Sequence, residues 1–257
     1  MYIERTDSTN TLMKEMIAKG EWPEGERWLR TDFQSAGRGQ AGNSWESAPG
    51  KNLLCSILLD HHRVKDKNPF YLNVLISVAV HKVIRSVLCQ QSGLCSVSEA
   101  VSIKWPNDIY YGDKKLAGIL IENMYDGYDV KYMIAGIGLN VNQTTFVSDA
   151  PNPISIKQIT GLDYDLEELM NKLLDEMDQA LSTSNREYYM AHLYRKDGFW
   201  PFVEREVSTA PTMNAGKETE GIFLAKIEDV RTDGELELRD QDGNLRTYHF
   251  KQVRYVI

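Results

Sequence analysis

Residues 36–45 read AGRGQAGNSW, and within them Gly37-Arg38-Gly39-Gln40-Ala41-Gly42 is a literal G-x-G-x-x-G. A dinucleotide fingerprint needs a strand before the glycines and a helix opening directly after them, so that the helix N-terminus receives the pyrophosphate. Arg27 to Phe33 supplies the strand. The helix is missing, because Asn43 to Gly50 is punctuated by turn formers and has no 3.6-residue apolar period. The glycines must therefore serve other chemistry. Backbone amides freed from side-chain bulk approach a carboxylate or an α-phosphate closely. Arg38 adds a planar fork of donors, and Trp45 offers a flat face on which adenine could stack. Taken alone, the stretch reads more simply as a surface turn beside a core tryptophan.

Three further stretches concentrate special residues. They are Asp7-Ser8-Thr9-Asn10; Lys104-Trp105-Pro106-Asn107-Asp108 with Lys114-Lys115-Leu116-Ala117-Gly118-Ile119-Leu120-Ile121-Glu122; and Gly136-Ile137-Gly138-Leu139-Asn140-Val141-Asn142. In order and spacing, the four together resemble the biotin–protein ligases over nearly the whole chain. The specific part is the K-W-P-N-D and K-L-A-G-I-L-I-E pair following a G-R-G-x-x-G-x-x-W loop. Lipoate ligases share the superfamily's fold without this combination.

The resemblance implies a monofunctional ligase that uses ATP, Mg²⁺ and biotin to form biotinyl-5′-AMP. Its partner would be a biotin carboxyl carrier protein, whose lysine then receives the biotin. By the same resemblance, biotin binding falls to Ser8, Thr9, Asn10, Gln34, the Arg38-Gly39-Gln40 backbone, Lys115 and Gly118. ATP binding falls to Trp45, Asn107, Gly138, Asn140 and Lys115, and catalysis to Lys115, Arg38 and Asp108. These residue types suit the task. Neutral donors and acceptors such as Ser8, Thr9 and Gln34 match an uncharged cyclic urea. A fixed ammonium between carboxylate and triphosphate offsets the repulsion of two anions, and the K-L-A-G motif puts it at Lys115 rather than Lys114. Each residue also has a plainer reading. Ser8 and Thr9 are good helix caps, Lys114-Lys115 is an ordinary hairpin-tip pair, and Asn140 and Asn142 could simply end a strand. Asp108 could hold Mg²⁺ or orient Lys115 or Arg38.

Two departures from the family pattern stand out. Gln40, Ala41 and Asn43 replace three arginines of the G-R-G-R-R-G-R loop of many bacterial members, which weakens electrostatic retention of an adenylate. Some members also carry a winged helix–turn–helix ahead of D-S-T-N, for which this chain leaves no room. The competing functions are a lipoate or octanoate ligase of the same superfamily and a biotin-sensing binding protein that transfers nothing.

The elements that must position these residues read as follows. Ser8-Thr9-Asn10 precedes Leu12, Met13, Met16 and Ile17 at helical spacing, with Gly20 as a stop. A strand over Leu53–Leu59, a helix over Pro69–Gln90, a short strand Ile103–Trp105, a hairpin over 109–122 and a strand over Tyr132–Val141 come next. Asp165 caps a helix whose inner face is Leu166, Leu169, Met170, Leu173, Leu174 and Met177, and a polar helix spans Asn185 to Arg195. After Gly198 short strands and D-G turns mark a small all-β module. The expected fold class is therefore α+β: a mixed sheet with flanking helices over residues 1–198, plus an SH3-like barrel over 199–257. The resemblance makes the first unit a class II synthetase-like catalytic domain.

The 257 residues are 42% hydrophobic and 26% charged, with a net charge of −8. That composition suits a globular chain and argues against generic nucleic-acid binding. No signal pattern opens the chain, and the apolar run Leu72 to Ile84 is too short to cross a bilayer. Three cysteines without C-x-x-C spacing read as buried thiols of a reducing compartment, so the cytoplasm is expected. Monomer and homodimer both remain open, with the strand from Lys131 to Leu139 as a candidate edge.

Overall fold

The computed structural model describes residues 1–60, 69–90, 95–127, 129–148, 152–205 and 218–257. Its larger sheet has seven strands: β1 Tyr2–Thr6, β2 Trp28–Gln34, β3 Leu53–Asp60, β4 Val101–Lys104, β5 Asp108–Tyr111, β6 Lys114–Asp126 and β7 Asp129–Leu139. Their order is β1-β2-β3-β7-β6-β5-β4. Only β1 and β2 run parallel, with the helix α1 (Thr9–Lys19) crossing between them, so the sheet is mixed as expected. Strand β7 lies between β3 and β6 and is paired on both sides. The candidate dimer edge at Lys131 to Leu139 is thus corrected, because its backbone groups are already spent within the sheet.

Side-chain alternation divides the sheet into two functions. Met133, Ala135, Ile137 and Leu139 of β7 join the main core with Leu53, Cys55, Ile57 and Leu59 of β3. Helices α2 (Pro69–Cys89) and α4 (Leu166–Ser182) complete that core through Leu75, Ile84, Leu88, Leu169, Leu173 and Met177. The other face carries α1, whose Met13 packs with Leu29 and Ile134. On this face the strands place glycines: Gly136 pairs with Leu120 and Ser56, and Gly138 pairs with Gly118 and Leu54. A sheet face without side chains is a floor on which other groups can lie.

Helix α2 is long and apolar enough to span a membrane by length and hydropathy, but 72% of it is buried inside this protein. It is the core helix. Asp165 caps α4 through the amides of Glu167 and Glu168, as its sequence position predicts. The polar helix expected over Asn185 to Arg195 is shorter, running Arg186–Ala191 (α5, after a five-residue α3 at Ile156–Thr160). Its last residues leave the helix because His192 and Tyr194 exchange backbone hydrogen bonds with Ile103 at the edge of β4. The cysteine expectation holds for Cys55 alone, whose thiol burial pushes up to about 12, whereas Cys95 is exposed.

Beyond Gly198 a five-stranded antiparallel sheet forms from β8 Trp200–Arg205, β9 Glu218–Val230, β10 Leu236–Asp240, β11 Leu245–Tyr248 and β12 Val253–Tyr255, in the order β11-β10-β9-β8-β12. It shares the main hydrophobic core through Phe202, Leu236 and Tyr255. Trp105 Nε1 donates to the Gly234 carbonyl at 3.0 Å and so pins the K-W-P-N-D turn against this module.

Buried His81 on α2 places Nε2 3.0 Å from the Val101 carbonyl and Nδ1 3.1 Å from the Tyr188 hydroxyl. Burial pushes its imidazole down to about 3, whereas an unfolded histidine titrates near ~6.5. Below that value the unfolded chain binds a proton that the native protein refuses. The stability His81 contributes is therefore complete above the unfolded value and is lost as pH falls toward the folded one. This group alone should lower the unfolding free energy by up to about 1.4 kcal/mol per pH unit on acidification. Urea titrations at several pH values measure the slope, and His81→Gln should lack this share of it. An unchanged slope in that variant would assign the acid sensitivity elsewhere.

Candidate functional site

A cleft of about 780 Å³ opens over the glycine floor. The N-terminus of α1 brings Ser8, Thr9 and Asn10 to it, and the end of β2 brings Gln34. The loop brings Arg38 to Trp45, the β4–β5 turn brings Lys104 to Asp108, and the start of β6 brings Lys115 and Gly118. Arg205, Phe250, Lys251, Arg254 and Tyr255 of the C-terminal module close the far side. Six lysines and arginines line the described cleft against a single carboxylate, Asp108. In a chain of net charge −8, that local excess of positive charge marks a site for anions.

Ser8 holds the N-cap position of α1, yet its side chain makes no capping hydrogen bond. The capping reading therefore does not account for its hydroxyl, which lines the cleft. Thr9 donates to Gln34 Oε1 from its amide at 2.8 Å and from its hydroxyl at 3.1 Å. Ser56 Oγ lies 2.7 Å from Thr9 Oγ1 and 2.5 Å from Asn10 Oδ1. Asn10 lies directly on Gly136, where a Cβ would meet its amide at 2.5 Å. The carboxylate of Glu122 then accepts from Asn10 Nδ2 at 2.8 Å, Lys14 Nζ at 2.6 Å and Arg38 Nη2 at 2.9 Å. Burial opposes the charge on Glu122, but the Lys14 and Asn10 hydrogen bonds and the Lys14 and Arg38 charges hold its carboxyl below the ordinary range.

The glycine loop closes on itself. Gly39 N donates to the Asn43 carbonyl at 2.6 Å and Trp45 N to the Gly37 carbonyl at 2.9 Å. A Cβ on Gly37 would stand 2.7 Å from the Trp45 carbonyl, so the hairpin needs that glycine for close approach. Gln40 Nε2 reaches across to Asn107 Oδ1 at 3.2 Å. The Trp45 indole lies over Gly138 and Gly118, where added Cβ atoms would meet it at 2.4 and 2.8 Å. Its Nε1 is buried with no hydrogen-bond partner among the described residues.

Lys115 is held by its backbone on both sides. It pairs with Tyr110 of β5, and it exchanges hydrogen bonds with Asn152 and Ile154 on the other edge. Its ammonium donates to Asp108 Oδ2 at 2.7 Å and stands 5.8 Å from the centre of the Trp45 ring. Of the roles left open for Asp108, the structure shows the contact to Lys115 directly. Lys104 packs between Tyr110 and Tyr255, and burial pushes its amine down to about 8.

One expected site residue lies elsewhere. Asn140 is 2% exposed, does not line the cleft, and donates its amide to the Ile154 carbonyl at 3.1 Å. Its position gives the expected adenine contact no support and fits the plainer strand-end reading. Sequence reasoning missed Ser56, and although it singled out the stretches holding Lys104 and Glu122 it gave neither residue a role. The signal for Glu122 was present: it follows Gly118 and Leu120 at the strand period of two. Arg205, Lys251 and Arg254 come from the distant module and carried no local signal.

Residues 2–140 match the Biotin/lipoate A/B protein ligase family. This chain belongs to that family. It is 30% identical over 246 residues to the bifunctional ligase/repressor BirA of Salmonella typhimurium, covering 94% of this chain and 69% of that one. It is likewise 30% identical over 176 residues to the biotin--[acetyl-CoA-carboxylase] ligase of Paracoccus denitrificans, covering 66% of this chain and 68% of that one. Against BirA of Escherichia coli the match spans 59% of the relative's length. In fold it is similar to the Aquifex aeolicus biotin protein ligase in complex with biotin and ATP, with a TM-score of 0.73 and 22% identity over 100% of this chain and 98% of that one.

Proposed function

We propose that this chain joins biotin to ATP as biotinyl-5′-AMP and then passes biotin to a lysine of a biotin carboxyl carrier domain. One observation carries the reading: the Lys115 ammonium, the Arg38 guanidinium and the loop amides share one cation-lined cleft beside a neutral hydrogen-bonding pocket. The cationic end suits two anionic reactants, and Ser8, Thr9, Asn10 and Gln34 suit an uncharged ureido ring.

In the first step a biotin carboxylate oxygen attacks the α-phosphorus, and the bond to the bridging oxygen breaks to release pyrophosphate. Lys115 and Arg38 stabilise the negative charge that builds on the phosphoryl oxygens. Asp108 orients Lys115. Trp45 brings the adenine face and a buried N–H donor; leaving such a donor without an acceptor costs about 1–3 kcal/mol, which a ligand oxygen there would recover. In the second step the acceptor amine attacks the acyl carbon, AMP departs, and the amine proton is lost to solvent. Described residues hold no cluster of three metal-ligating side chains. Mg²⁺ in nucleotide sites needs only one or two carboxylates besides the phosphates, and Asp108 with Asn107 beside it fits that need. The ion would add charge neutralisation on the triphosphate.

We assign residues 1–198 to the catalytic unit and 199–257 to the small β module that closes the cleft. The negative net charge supports a protein acceptor rather than nucleic acid as the macromolecular partner. Biotin-dependent pyrophosphate release from ATP tests the first step, and mass detection of a biotinylated acceptor domain tests the second. Calorimetry with biotin and with lipoate or octanoate tests the acid: tighter binding of the aliphatic acids would overturn the choice of substrate.

A further inference from the structure

Glu122 has no part in the steps above, yet its carboxylate gathers donors from two separate elements at one point. Oε1 accepts from Lys14 of α1 at 2.6 Å, and Oε2 accepts from Asn10 of α1 at 2.8 Å and from Arg38 of the loop at 2.9 Å. The side chain is 19% exposed, and it stands on the glycine-floor face of β6, four residues beyond Gly118. Neutralising one half-buried carboxylate would take Lys14 alone. A second cation on the same group therefore needs another explanation, and the direction of Arg38 supplies it. Only Nη2 of the fork meets Glu122, whereas a guanidinium carries five N–H donors. The others are available to a group entering the cleft that Arg38 lines.

From this geometry we infer that Glu122 is a positioning residue of the adenylation step, holding Arg38 at the cleft by one edge and tying that placement, through Asn10, to the biotin side. The inference rests on the ligase reading above. An arginine on a glycine loop has many rotamers, and a charge-stabilising donor acts only when it is already in place as the transition state forms. Glu122 supplies the restraint that the loop backbone cannot. Asn10 touches the same oxygen as Arg38, so a ligand that orders Asn10 also orders the acceptor of the Arg38 hydrogen bond. The cluster holds two cations and one anion, so the carboxylate stays ionised and the restraint persists.

The test is a double-mutant cycle on biotin-dependent pyrophosphate release. Glu122→Gln keeps the length and an acceptor for Asn10 but loses the charge that holds Arg38. The expected result is a kcat about tenfold lower, with the biotin KM changed by less than about threefold. In an Arg38→Ala background the same substitution should leave kcat within about twofold, because the group it positions is gone. A purely structural role predicts losses that multiply in the two backgrounds, and that outcome would overturn the inference, as would an unchanged kcat in the single variant. Glu122→Asp is the second variant: it keeps the charge but withdraws the carboxylate, and should show the same kcat-specific, Arg38-dependent loss. The unsubstituted protein separates the two levels of argument. If it releases no pyrophosphate with biotin and ATP, the ligase reading fails; if it does and the losses multiply, only the role of Glu122 fails.

Discussion

Lys115→Ala should lower adenylate formation by about 10³-fold while leaving the fold in place. The size follows from charge. At the crowded phosphorus, the carboxylate and the triphosphate bring like charges together, and one fixed donor at such a centre is worth roughly 10²–10³ in rate. Lys115 is fixed more firmly than its hairpin-tip position suggests, since its backbone is paired with Tyr110 and with the 152–154 segment. The ammonium meets Asp108 and stands over the Trp45 ring, and the side chain is 30% exposed. Partly exposed ion pairs of this kind add little to stability, about 0–1 kcal/mol, so the urea midpoint should barely move. Arginine is a poor substitute, because its longer planar fork cannot occupy the point that the ammonium does. Biotin-dependent pyrophosphate release gives the rate, and a variant within a few-fold of the parent would remove Lys115 from the chemistry.

Most of what positions this lysine was legible in the sequence because it is local. Strand β6 reads as an apolar run after a G-D turn, α1 begins at a run of capping residues and ends at Gly20 in the left-handed region, and Asp165 caps α4 where its spacing says it should. Strand β1 was not legible, since Tyr2 to Thr6 alternates poorly and is mostly exposed at the sheet edge. It becomes a strand through its partner β2, a long-range fact that local pattern does not contain. Helix α5 failed in the opposite way: its polar continuation to Arg195 is locally helical in pattern, but backbone pairing with Ile103 claims the last residues.

For the site, residue type was a better guide than residue partner. Arg38, Trp45, Lys115 and Asp108 do converge, because Asp108 and Lys115 stand on the paired strands β5 and β6 and the loop after β2 lays Trp45 over Gly138 and Gly118. Asn140 was drawn in because it continues the period of two set by Gly136 and Gly138, but β7 ends at Leu139. Gly136 and Gly138 present the floor, and by Asn140 the chain has turned to meet Ile154. Glu122 shows the converse, a floor-face position readable from the period of two once that face is known. The cations from the C-terminal module depend on how two sheets pack, which nothing within residues 199–257 specifies.

Gly136→Ala should weaken biotin binding by about 100-fold, close to 2.7 kcal/mol, although it adds one methyl group at a position with ordinary extended backbone. The added Cβ would stand 2.5, 2.9 and 3.0 Å from the three terminal atoms of the Asn10 amide. A flexible surface side chain would swing aside, but Asn10 is 2% exposed and bound to Ser56, the Leu120 carbonyl and Glu122. Moving it strips acceptors and donors from all three, and overpacking of this kind costs about 1–3 kcal/mol of stability besides. The damage is therefore transmitted through Asn10, which makes the mechanism testable by a cycle. In an Asn10→Ala background the methyl group meets empty space, so Gly136→Ala should cost almost nothing further in biotin affinity. Gly138→Ala is the contrasting variant: its methyl would meet the Trp45 ring at 2.4 Å and leave Asn10 undisturbed, so it should weaken nucleotide binding more than biotin binding. Calorimetric titrations of the parent, the two single variants of the cycle and their double variant with biotin, and of Gly138→Ala with biotin and with ATP, decide the matter. A Gly136→Ala protein that binds biotin within about twofold of the parent would mean that the sheet floor yields where Asn10 rests on it, and that the polar pocket around Ser8, Thr9 and Gln34 is not built on that contact.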